Sequence, residues 1–102
     1  MRKSDKKIEN QIRDVLTDVC EGTLKSYEGF QWVTHTVKYS AFPQSLKIAC
    51  VFETNQDRAK FLNSEGPQHV SATIQMAFNQ VGVQLKNVDK LISYDTEENR
   101  KR

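Results

Sequence analysis

The sequence predicts an α+β fold: a single two-layer domain with elements in the order α-β-β-α-α-β and a three-stranded sheet covered by helices on one face. Three observations carry this. Apolar residues recur at helical spacing from Ile8 to Tyr27 and again from Val70 to Val81. Residues 30–39 and 45–54 are rich in β-branched and aromatic side chains, with a proline-containing turn between them. A sheet this small cannot bury both of its faces by itself, so the helices must pack against one of them.

The elements follow in order. Ser4 or Asp5 can cap the first helix, in which Ile8, Ile12, Val15, Leu16 and Val19 form the apolar stripe. That helix is expected to run to about Ser26 and to stop near Gly29. Lys6 and Lys7 fall in its first turn, where the helix dipole disfavours cations. Residues 30–39 and 45–54 form an antiparallel hairpin. Leu46, Ile48, Cys50 and Phe52 make one face of the second strand. Pairing Tyr39 with Leu46 brings Val37, His35 and Val33 opposite Ile48, Cys50 and Phe52, with all eight on the buried face. Only a slip by two residues competes, because a slip by one would turn the apolar set outward. Asn55 caps a short helix, Pro67 opens the next one and Gly82 ends it in the left-handed conformation. Residues 88–94 form the third strand. The domain spans residues 1–102, with an ordered core over about 4–95 and a loose charged tail over 96–102.

Composition narrows the function. The chain has 102 residues, 37% of them hydrophobic, and a net charge of +2. No apolar run approaches the roughly 20 residues that cross a membrane, and no apolar segment follows the basic N-terminus as a secretory signal requires. A cytoplasmic location is the expectation, with no membrane partner and no small-molecule substrate. Two cysteines and two histidines without tight spacing make no zinc pattern, so neither a metal nor a cofactor is expected. Arg2, Lys3, Lys6 and Lys7 cluster at one end and Arg100, Lys101 and Arg102 at the other. Such ends can meet phosphates or acidic surfaces, or simply be solvated.

From Gly66 to Leu85 there is no Asp, Glu, Lys or Arg, in a chain that is 27% charged. The segment reads as a helix with a Gln, Ser, Thr and Asn outer face. Gripping phosphate needs cations, so Gln68, Gln75 and Asn79 point to contact with another polar surface. The uncovered sheet face carries Trp32, Thr34 and Thr36, with Lys38 directly opposite Lys47. A tryptophan beside lysines can stack a base and hold a phosphate, and the same face can dock a protein. His35 and Cys50 are expected to be cross-strand neighbours, the beginning of a nucleophilic pair. Both point into the core, where a thiolate is costly, so no catalytic residue is assigned. Asp95, Glu97 and Glu98 read as a solvated acidic run.

Two resemblances follow. The order of elements is similar to that of type II KH domains, ribosome-binding factor A among them, which implies RNA binding through a Gly-x-x-Gly turn. The corresponding turn here reads Ser64-Glu65-Gly66-Pro67-Gln68-His69. The motifs Met1-Arg2-Lys3-Ser4-Asp5-Lys6-Lys7, Phe30-x-Trp32-x-Thr34-His35, Phe42-Pro43-x-Ser45-Leu46, Cys50-Val51-Phe52-x-Thr54-Asn55 and Tyr94-Asp95-Thr96-Glu97-Glu98 resemble a small proteobacterial family of uncharacterised role, whose members often carry the label "Fis family transcriptional regulator". That label implies DNA binding by a basic helix-turn-helix. The second helix here has no Lys or Arg. The sequence therefore leads to a non-enzymatic binding protein acting through a macromolecular partner, either a protein (a second copy included) or, as the alternative, RNA, ribosome or DNA met by the open sheet face and the basic ends.

Overall fold

The first helix, α1 (Lys3–Gly22), buries Ile12, Val15, Leu16 and Val19, the stripe that 3.6-residue periodicity requires. The computed structural model describes residues 3–100. Met1, Arg2, Lys101 and Arg102, and with them part of both basic clusters, lie outside the described residues. α1 already includes Lys3, so Ser4 and Asp5 sit in its first turn. A 3-10 turn, Leu24–Ser26, follows it. Gly29 then turns the chain into the sheet with φ +81°, and a Cβ there would collide with Asp57.

β1 (Phe30–Thr36) and β2 (Lys47–Phe52) pair antiparallel, and β3 (Ile92–Thr96) joins β2 parallel, giving the order β1-β2-β3. The hairpin register differs from the expected one by two residues. Val33 lies opposite Cys50, His35 opposite Ile48 and Thr36 opposite Lys47. The cause lies in the loop. The Ser45 hydroxyl accepts from the Lys38 amide at 2.9 Å and donates to the Lys38 carbonyl at 2.8 Å. With the 3-10 turn Tyr39–Ala41, this clasp takes residues 37–46 out of the ladder. A two-residue shift keeps every side chain on its face, so Ile48, Cys50 and Phe52 remain buried. Gln31 is the extra residue of a bulge that brings Phe30 opposite Phe52.

Two helices cross from β2 to β3. α2 (Asn55–Leu62) is capped one residue earlier than expected, by Thr54, whose Oγ1 accepts from the Asp57 amide at 3.1 Å. α3 (Gly66–Gln80) has Pro67 in its first turn and buries Val70, Ile74 and Phe78. It ends as the sequence predicts. Gly82 has φ +82°, its amide reaches the Asn79 carbonyl at 3.0 Å, and the Val83 amide reaches Phe78 at 2.9 Å. Residues 88–91, expected to begin the third strand, form a helical turn instead, α4 (Val88–Leu91), and the strand starts at Ile92. Asn87 precedes that turn in the left-handed conformation, φ 52°.

One core lies between the sheet and the helices α1 and α3, built on Ile12, Leu16, Ile48, Phe52, Ile74 and Phe78. The final segment is not a loose tail over 96–100. Thr96 is fully buried and pairs with Phe52. Its hydroxyl donates to Asn55 Oδ1 at 2.8 Å and accepts from the Asn99 amide at 3.0 Å. These bonds open a last helical turn, α5 (Glu97–Arg100). Glu98 fastens it, accepting from the Asn55 amide at 3.1 Å while its own amide reaches the Glu53 carbonyl at 3.3 Å.

Candidate interaction surfaces

Strand alternation places Trp32, Thr34 and Thr36 on the sheet face away from α1 and α3, with Val51 and Lys47 as cross-strand partners of Trp32 and Thr36. Lys38 does not join them. β1 ends two residues before it, so it does not stand opposite Lys47 as expected. The indole is also engaged. Trp32 Nε1–H donates to Glu97 Oε1 at 2.6 Å, and the Arg100 guanidinium lies 4.8 Å above the ring. Arg100 is held in turn by Asp95 at 3.0 Å. The Thr96 amide and then Arg100 keep the Asp95 carboxyl below its ordinary range. Val51 is completely buried on this side, so Trp32 and α5 roof part of the face the sequence leaves open. The acidic run is thereby bonded rather than merely solvated. A hollow beside it is lined by Gln31, Glu53, Thr54, Glu97 and Glu98, a sign of charge that repels phosphate.

α3 presents its polar side on the opposite surface of the protein. Gln68 and Asn79 are exposed on one helical stripe with Ala72 and Met76, at spacings of three and four residues. Met76 is 61% exposed. Gln75 does not belong to this surface. It is half-buried, and its Nε2 donates to the Leu85 carbonyl at 3.2 Å, tying the segment after α3 back onto the helix. Arg58, on the helix before it, is spent on the Tyr94 carbonyl at 2.8 Å.

The expected His35–Cys50 neighbours are separated by the register. Cys50 is fully buried, and burial pushes its thiol up to about 12. His35 Nε2 instead lies 2.9 Å from Glu9 Oε1, the same oxygen that accepts from the Tyr39 hydroxyl at 3.1 Å. Arg13 Nε reaches the other carboxylate oxygen at 3.1 Å. Glu9 is thus held below the usual carboxylate range, first by the His35 hydrogen bond and then, against an opposing burial effect, by Tyr39 and the charges of His35 and Arg13. This cluster ties α1 to β1 and the loop after it. In the sequence Glu9 stands just beside the Ile8–Ile12 stripe, and that position is the one available signal of this role.

Among the described residues no group of three or more His, Cys, Asp and Glu side chains is placed to hold a metal ion. No helix among them is long and apolar enough to cross a membrane. The chain matches no family model, no curated protein and no solved structure.

Proposed function

We propose that this chain is a non-enzymatic cytoplasmic interaction protein that docks a protein partner on the outward face of α3. One observation carries the reading: a helix surface without a single charge, centred on Met76 at 61% exposure, in a chain that is 27% charged overall. Lys, Glu and Asp are depleted at the cores of protein interfaces and Met is enriched there. The nucleic-acid reading has less support. The Trp32 ring is covered by Arg100, its N–H is given to Glu97, and Lys38 and Lys47 do not meet.

The test is affinity capture with the wild-type protein, Met76→Lys and Lys47→Glu, scoring proteins and nucleic acids separately. The expected result is a protein held by the wild type and by Lys47→Glu and lost with Met76→Lys. Salt-sensitive binding to RNA or DNA that disappears with Lys47→Glu and survives Met76→Lys would replace this reading with the alternative.

A further inference from the structure

The other feature without an internal role is the outer edge of β1. No strand flanks it, and among the described residues no hydrogen bond from outside the sheet reaches the backbone of residues 31–36. Exposed edges are normally blunted by Lys, Pro or inward-pointing charge. β1, Phe-Gln-Trp-Val-Thr-His-Thr, has neither Lys nor Pro; its only such devices are the bulge at Gln31 and His35, which is turned inward onto Glu9. Beside the edge runs a groove of about 500 Å³, walled by α1 from Arg13 to Glu21 and by residues 31–35 of β1, with Leu16, Cys20 and Val33 as its apolar part. Its two walls match in length. Eight helical steps rise about 12 Å, and four strand steps span about 13 Å. The groove is therefore centred on Thr17 and Val33, with Arg13 and Glu21 four residues to either side.

We propose that a second copy of this chain occupies this edge, β1 against β1 antiparallel about a two-fold axis through Thr17 and Val33, so that two sheets become one of six strands. A two-fold interface must be complementary to itself, and this one is. The strand offered carries no Lys, Arg, Asp or Glu and is β-prone. A small uncharged residue, Thr17, lies at the axis. Arg13 meets Glu21 of the partner subunit, and the contact is made twice. Arg13 is 72% exposed and uses only its Nε on Glu9, leaving donors of its guanidinium for a second carboxylate. Glu21 has no ion-pair partner among the described residues. The dimer presents the two α3 faces independently, so the proposal does not rest on the docking reading above.

Sedimentation equilibrium over a wide concentration range tests it with the wild type, Arg13→Glu, Glu21→Arg and the double charge swap. Both side chains are exposed, and far-UV circular dichroism confirms that each variant folds. The wild type should dimerise. Each single reversal should weaken the dimer by at least about tenfold, as close interfacial charge pairs do, and the double swap should restore it. Amide exchange at residues 31–36 should slow as the dimer forms. A monomer at every concentration overturns the proposal, as does a dimer indifferent to the charge variants. Loss of the dimer with Met76→Lys also overturns it, since that result would put self-association on α3. None of these failures touches capture of a different protein by α3.

Discussion

The His35 imidazole and the Glu9 carboxylate meet at 2.9 Å across the seam between α1 and β1, and the pair does for this fold what a cross-strand contact to Cys50 could not. It joins two residues 26 apart in sequence while leaving the thiol sealed in the core.

The first prediction concerns acid. The folded protein holds the Glu9 carboxyl below its ordinary value. The resulting stabilisation is complete above the unfolded carboxylate pKa, about 4.3, and is lost as pH falls through the lower folded value. Glu9→Gln should cost about 1.5–3 kcal/mol at neutral pH, the range for hydrogen bonds to a charged group. The gap to wild type should close in acid. Asp95 is shifted with the same sign, so the variant keeps part of the acid slope. Urea titrations at neutral and acidic pH check this.

Two glycines on helices should respond in opposite directions. A Cβ on Gly66 would collide with the Phe61 ring, which itself packs against Tyr27, Phe52 and Tyr94. Gly66→Ala should destabilise by about 2 kcal/mol or more, through overpacking. A Cβ on Gly22, at the end of α1, meets nothing within 4 Å. Gly22→Ala should stabilise by up to about 1 kcal/mol. Thermal unfolding of the two variants reads both signs.

Tyr94 carries the one buried side-chain polar atom without a partner among the described residues, its hydroxyl. Burial raises the pKa of that phenol, and the ring lies 5.0 Å from Phe61. Removing an unsatisfied buried hydroxyl while keeping the ring removes a desolvation cost. Tyr94→Phe should therefore be neutral or stabilising by about 1 kcal/mol. A loss of stability of that size in denaturant titration would mean that the hydroxyl has a partner.

The two α3 glutamines should separate fold from surface. Gln75→Ala removes the bond to Leu85 and should cost about 1 kcal/mol. Gln68→Ala should leave stability within about 0.5 kcal/mol. Calorimetry on the two variants distinguishes them. An equal effect at both positions would contradict the assignment of Gln75 to the fold.

The order of elements and the buried faces were legible because periods of 3.6 and 2 are written directly into Ile12–Leu16–Val19 and Ile48–Cys50–Phe52. The register was not. Registers two residues apart bury the same side chains, and the choice falls to the Ser45 clasp on Lys38, which no hydrophobic pattern encodes. Gln68 and Gln75 look alike in a sequence. Only the path of the chain after Gly82 brings a carbonyl to one of them. The bonded state of Trp32 depends on Glu97, 65 residues away. A run of charges near the end of a chain gives no sign of such a closure.

The chain has a single tryptophan, and that ring sits between β1 and the last helical turn, with its N–H on Glu97 and a guanidinium on its face. Its emission is therefore a natural optical reporter of the terminal turn alone. Undocking of residues 97–100 should shift the indole spectrum toward the red while far-UV ellipticity from the longer helices holds, so the two signals distinguish local release from global unfolding without any label being attached.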